Sequence, residues 1–115
     1  MKKIIAILLL SIISTYAQEK YTTSEAVNHY QEEAIITGIL TQVSTPRSGM
    51  IYLNLDGKFP DNIFTGVIFK KNSELFTNLK ELEGKKIEIL GKVEEYKGKP
   101  QIILKEPSQL KIAED

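Results

Sequence analysis

The 115-residue sequence offers little with which to run acid–base or nucleophilic chemistry. His29 is the single histidine and cysteine is absent, so a nucleophile–base dyad would need a Ser–Lys pair. A zinc site takes three or four N, S or O ligands and finds no such set here. Asp56 and Asp61 bracket the turn residues Gly57–Pro60, and Glu94 and Glu95 close a strand-like run. An oxygen-lined calcium cradle is one reading of these carboxylates, but aspartates that bond their own backbone in a turn explain the first pair as well. Better suited to chemistry are the cations Arg47, Lys58, Lys70, Lys97 and Lys99, which fall near Tyr52, Asn54 and Phe59. Lysine and arginine neutralise phosphates, an aromatic ring stacks a base for ~1–3 kcal/mol, and an amide bonds a base edge. The expected chemistry is ligand binding, with no catalytic residue, no metal and no cofactor.

Before these residues comes a segment of another kind. Residues 2–17 read KKIIAILLLSIISTYA: two lysines, a short apolar run, then Thr15-Tyr16-Ala17 ahead of polar Gln18, Glu19 and Lys20. This is the pattern of a cleavable signal peptide over residues 1–17, too short to span a bilayer, which takes about 20 apolar residues. The expected destination is the periplasm or the medium, with no membrane insertion after cleavage. Removing Lys2 and Lys3 leaves 13 basic against 15 acidic residues. Overall charge therefore does not announce a nucleic-acid binder. Over residues 34–112, however, 12 basic residues face 9 acidic ones, a local excess hidden by the acidic ends.

The elements that must position the cations are mostly strands. A short helix is expected over Tyr21–Glu33, with Thr22 and Glu25 three apart as a capping box; residues 18–33 form an extension ahead of the domain at 34–115. Strands are expected at Ala34–Val43, Met50–Asp56, Ile63–Phe69, Lys86–Tyr96 and Gln101–Lys105. Leu110 and Ile112 resume the last one as an edge beyond Pro107. Met50–Asp56 alternates strictly, which places Tyr52 and Asn54 on the face opposite Ile51, Leu53 and Leu55. Leu75, Phe76, Leu79 and Leu82 recur at helical spacing, so a helix is expected over Lys70–Glu83. Gly38 and Gly91, each inside a strand, are expected to mark bends at barrel corners. The order β-β-β-α-β-β describes an all-β fold with one or two short helices, a five-stranded Greek-key β-barrel of the OB type.

The stretch from Ile36 to Ile112 also resembles the OB-fold nucleic-acid-binding domains of exported bacterial proteins and of chains with secreted nucleases, relatives of the anticodon-binding type. The matching pieces are ITGILTQV, YLNLDGKFP followed by FTGVIF, LEGKKIEILGKV, and the hairpin YKGKPQIIL leading into PSQLKI. The resemblance implies a binding face across the second and third strands, flanked by the loops joining strands one to two and four to five. Arg47 lies in the first of these loops, Lys97 and Lys99 in the second, Lys58 in the turn between strands two and three, and Lys70 at the end of strand three. Tyr52 and Asn54 form the floor. A single-stranded nucleic acid held weakly there is the first expectation. A protein or glycan partner in the cell envelope, with no nucleic-acid role, is the alternative, because arginine is scarce and overall charge is near neutral.

Overall fold

A computed structural model describes residues 18–114; the expected signal peptide over 1–17 lies outside the described residues. The chain forms β1 (Lys20–Thr22), β2 (Glu33–Ser44), β3 (Ile51–Leu55), β4 (Phe64–Ile68), β5 (Lys86–Lys92), β6 (Glu94–Tyr96), β7 (Lys99–Ile103) and β8 (Leu110–Ile112). The five expected strands are all present. The fourth is divided at Val93 into β5 and β6, and β1 and β8 bring the described strands to eight.

Pairing runs β6-β7-β4-β3-β2-β5-β8, with β1 lying parallel to the first half of β2. The long β2 pairs with β5 along its first half and with β3 along its second, and the register shifts between Leu40 and Gln42. β7 runs parallel to β4. The ladder is not a closed barrel, contrary to expectation. β5 and β7 pack together without pairing, and the chain passes from β5 to β6 at Val93. Gln109 spans the unpaired seam: its amide donates to Leu90 O on β5 at 2.9 Å and to Ile103 O on β7 at 3.2 Å.

Inside the curl, Ile36, Leu40, Leu53, Leu55, Phe64, Ile68, Ile87, Ile89, Val93, Ile102 and Leu104 are fully buried. Neither expected α-helix forms. Tyr21 and Thr22 are extended in β1, and only Thr23–Asn28 coils, as a 3₁₀ turn. The Glu25 carboxylate does accept the Thr22 backbone N–H at 2.8 Å, as a capping box requires. Between β4 and β5 two 3₁₀ turns, Lys70–Leu75 and Leu79–Leu82, replace the second helix. Asn78, at a left-handed φ of 58°, breaks the run so that Phe76 and Leu79 both reach the core. Burying two anchors across a short span outweighs a helix whose nucleation is costly.

The two glycines act differently. A Cβ on Gly91 would lie 2.6 Å from Ile102 Cγ2, so its absence lets β5 approach β7 at the seam. Gly38 lies opposite Ile87, two residues before β2 passes from β5 to β3 at Leu40. A Cβ there would instead meet Thr23 Cγ2 at 2.7 Å and Asp56 Oδ2 at 2.8 Å. Gly38 is the seat of the N-terminal turn: the Thr23 hydroxyl donates to Asp56, whose other carboxylate oxygen accepts the Ile39 N–H at 3.0 Å.

Candidate binding face

Strand alternation sends Val43, Leu53, Gly66 and Ile102 inward and leaves a polar row outside. Gln42, Asn54, Thr65, Gln101 and Glu94 stand in register across β2, β3, β4, β7 and β6. The next rung toward the start of β3 is Ser44, Tyr52, Val67 and Ile103. Tyr52 is half-buried at its centre.

The β3–β4 loop folds back over part of this face. Asn62, itself buried, donates its amide to Thr65 Oγ1 at 2.7 Å, Phe64 O at 3.2 Å and Asn54 Oδ1 at 3.3 Å. Asn54 donates in turn to Gln42 Oε1 at 2.8 Å, and that oxygen also accepts the Phe59 backbone N–H at 3.0 Å. Asn54 is consequently 2% exposed. The expectation that its amide reads a ligand directly is corrected: both its polar atoms serve the network that pins the loop.

Lys99 is also engaged within the protein. Its ammonium donates to Pro60 O and, at 3.1 Å, to Asn62 O. These two bonds tie the β6–β7 hairpin to the loop and leave the ammonium's third N–H uncommitted.

The remaining cations divide between the two ends of the face. Arg47 is exposed in the β2–β3 loop, and Lys70 lies beside that loop, its stem within 2.8 Å of where a Gly49 side chain would begin. At the opposite end, Lys58 on the pinned loop and Lys97 on the β6–β7 hairpin are both exposed. Two rings accompany them: Phe59 is 74% exposed and Tyr96 is 57% exposed, with Lys97 Nζ 5.4 Å from the Tyr96 centroid. None of these four cations forms an ion pair among the described residues. β3 spans five residues, about 17 Å at strand rise, so Tyr52 lies between two cationic corners.

Gln42, Asn62, Thr65 and Gln101 were not among the residues expected here. Alternation places Thr65 and Gln101 outward, and the irregularity between Leu40 and Gln42 turns Gln42 to the same side, but only the cross-strand register reveals that they share a row with Asn54. His29 is engaged elsewhere, its ring stacked on Tyr21 with centroids 3.6 Å apart and Nδ1 3.0 Å from Glu32. No group of three His, Asp or Glu side chains converges on a metal-sized point among the described residues. Nor is any described helix long and apolar enough to cross a membrane.

No protein-family model matches the sequence, and no curated protein matches it. Solved structures do match in shape. An OBody bound to hen egg-white lysozyme is similar with a TM-score of 0.60 and 20% identity, over 89% of this chain and 100% of that one. A second OBody bound to lysozyme has a TM-score of 0.58 and 17% identity, over 86% and 96%. The asparaginyl-tRNA synthetase of Entamoeba histolytica has a TM-score of 0.51 and 16% identity, over 85% of this chain and 24% of the enzyme. At such identities the likeness shows the fold alone, and that fold is of the OB class.

Proposed function

We propose that the protein is an exported OB-fold binding module that takes short single-stranded nucleic acid, weakly, along the outer face of β3 and β4. The supporting observation is the placement of unpaired cations at both ends of one face: Arg47 with Lys70, and Lys58 with Lys97. Tyr52 lies between them, and Phe59 and Tyr96 add exposed rings at the second end. Phosphates sit at the corners and bases lie over the rings, stacking being sequence-tolerant because every base has a π-face. Occurrence of the fold in an enzyme that acts on a tRNA supports the same ligand class. The proposed binding invokes no catalytic step and no cofactor.

A second reading, an envelope protein or glycan partner on this face, is favoured by the broad exposure of Phe59 and by the near-neutral charge. The OBodies show the fold in complex with a protein. Salt separates the two, because phosphate contacts weaken steeply with ionic strength and an apolar or glycan interface hardly responds. Titration of a labelled single-stranded oligonucleotide at two salt concentrations is the test.

A further inference from the structure

β8 ends the strand path opposite the β6–β7 hairpin. It pairs antiparallel with β5, Ile112 opposite Ile87, Lys111 opposite Glu88 and Leu110 opposite Ile89. The Ala113 N–H donates to Lys86 O at 2.9 Å. Antiparallel ladders alternate bonded and unbonded pairs, so Lys111 is bonded to β5 while Leu110 and Ile112 turn their backbone groups outward. The Leu110 N–H is used locally by Pro107 O. By this alternation the Leu110 carbonyl and both polar groups of Ile112 face away from β5. Beside this edge runs an open apolar groove of about 250 Å³, with Leu75, Phe76, Leu79 and Leu82 on one wall and Leu110 and Ile112 on the other. Leu75 is 54% and Ile112 52% exposed.

The outward groups ask for an extended chain, and the charges select which one. Lys111 alternates with Leu110 and Ile112 along β8 while also bordering the groove, and its cross-strand neighbour Glu88 is already taken by Lys20 at 2.7 Å. Lys111 is therefore exposed and forms no ion pair among the described residues. A short edge strand centred on lysine is the usual guard against indiscriminate pairing. An added strand that carries a carboxylate beside Lys111 overcomes that guard, and an uncharged or basic one does not. Self-pairing about Ile112 would put the two Lys111 side chains diagonal to each other, within the range of cross-strand repulsion.

The geometry points to β8 as a strand-addition site for an extended peptide of another protein that alternates apolar and acidic residues. The apolar side chains enter the Leu75–Leu82 groove, the acidic ones meet Lys111, and backbone bonds to Ile112 complete the sheet. This surface is separate from the β3–β4 face and does not depend on its ligand.

The test uses the peptide acetyl-Ser-Val-Glu-Val-Glu-Val-Ser-amide, fluorescently labelled, and its counterpart with lysine for glutamate. The acidic peptide should bind roughly tenfold more tightly, one opposite-charge pair being gained and one like-charge pair avoided. Lys111→Glu should reverse that preference. Ile112→Pro removes an outward donor that β5 does not use, so binding should fall while the thermal midpoint holds. Backbone N-methylation of the peptide should also abolish binding, and amide resonances of Leu110–Ala113 should shift on titration. Equal affinity for both peptides, no binding at millimolar concentration, or indifference to Lys111→Glu would overturn the proposal. So would a dimer formed through β8 in solution, since the second copy would occupy the edge.

Discussion

Lys99 and Asn62 are joined by a 3.1 Å bond from ammonium to backbone carbonyl, and through it the β6–β7 hairpin holds the β3–β4 loop against the sheet. Phe59 and Lys58 ride on that loop, so the ring and cation at one end of the face are presented by a contact made within the protein. Lys99→Met keeps the aliphatic stem and removes the tie. It should lower stability by about 1 kcal/mol, the scale of a partly exposed hydrogen bond, and weaken oligonucleotide binding without changing its salt slope. Lys97→Ala should reduce the slope by up to about one, as expected for one lost phosphate contact. Isothermal titration across a salt series distinguishes the two lysines. Equal slope changes would place Lys99 on the phosphates after all.

Asn54 tests the network beneath. Asn54→Leu leaves Asn62 short of an acceptor and Gln42 short of a donor in a covered site. The expected cost is about 1–3 kcal/mol, read as a lower denaturant midpoint. Protease nicking within 57–63 should also increase. An unchanged midpoint with an unchanged loop would remove the network from the description.

Strand order and the apolar core were legible in the sequence because period-two alternation survives in Ile51–Leu55 and the branched residues of β2, β4 and β5 have one buried solution. The helices were not. Leu75, Phe76, Leu79 and Leu82 recur at a spacing that a broken pair of 3₁₀ turns also satisfies, and only the left-handed Asn78 shows that the run is interrupted. The site was half legible. Alternation correctly turned Asn54 away from Leu53, but solvent is not what lies on that side, because the following loop doubles back over it. The tie made by Lys99 was illegible for the same reason: its partner carbonyls are 37 and 39 residues away in sequence.

Gly38 and Gly91 carry opposite expectations about location. Gly91→Val drives a side chain into Ile102 at the β5–β7 seam and should unfold the protein at a lower temperature, by more than the ~1 kcal/mol of an average substitution. Gly38→Val displaces Thr23 from Asp56, so its first effect should be faster amide exchange over Lys20–Asn28. Exchange that rises evenly through β2 and β5 instead would assign Gly38 the role of a structural corner alone.

Acid should loosen the same N-terminal turn. The Thr22 backbone N–H, bonded to the Glu25 carboxylate, holds that group below the usual carboxylate range, with a further push from nearby His29. Because its folded value is depressed, its stabilisation is present above the ordinary glutamate pKa and is lost as pH falls through the lowered value. Glu25→Gln should remove this part of the acid dependence. Amide exchange of Thr22–Asn28 at neutral and at acidic pH reads it, and identical pH profiles for both proteins would exclude Glu25.

Export is checked by intact mass. The protein recovered outside the cytoplasm should begin at Gln18, as the Thr15-Tyr16-Ala17 sequence implies. Recovery with Met1 attached would contradict processing there.

The β3–β4 face as a weak site for single-stranded nucleic acid is tested most directly by fluorescence anisotropy with a labelled oligothymidylate at low and moderate salt. Micromolar binding at low salt should fall steeply as salt rises. Tyr52→Ala should cost about 1–3 kcal/mol of affinity by removing the central stack. Absence of binding at low salt, or binding that ignores both salt and Tyr52→Ala, would contradict the assignment and leave the envelope partner as the reading of this face.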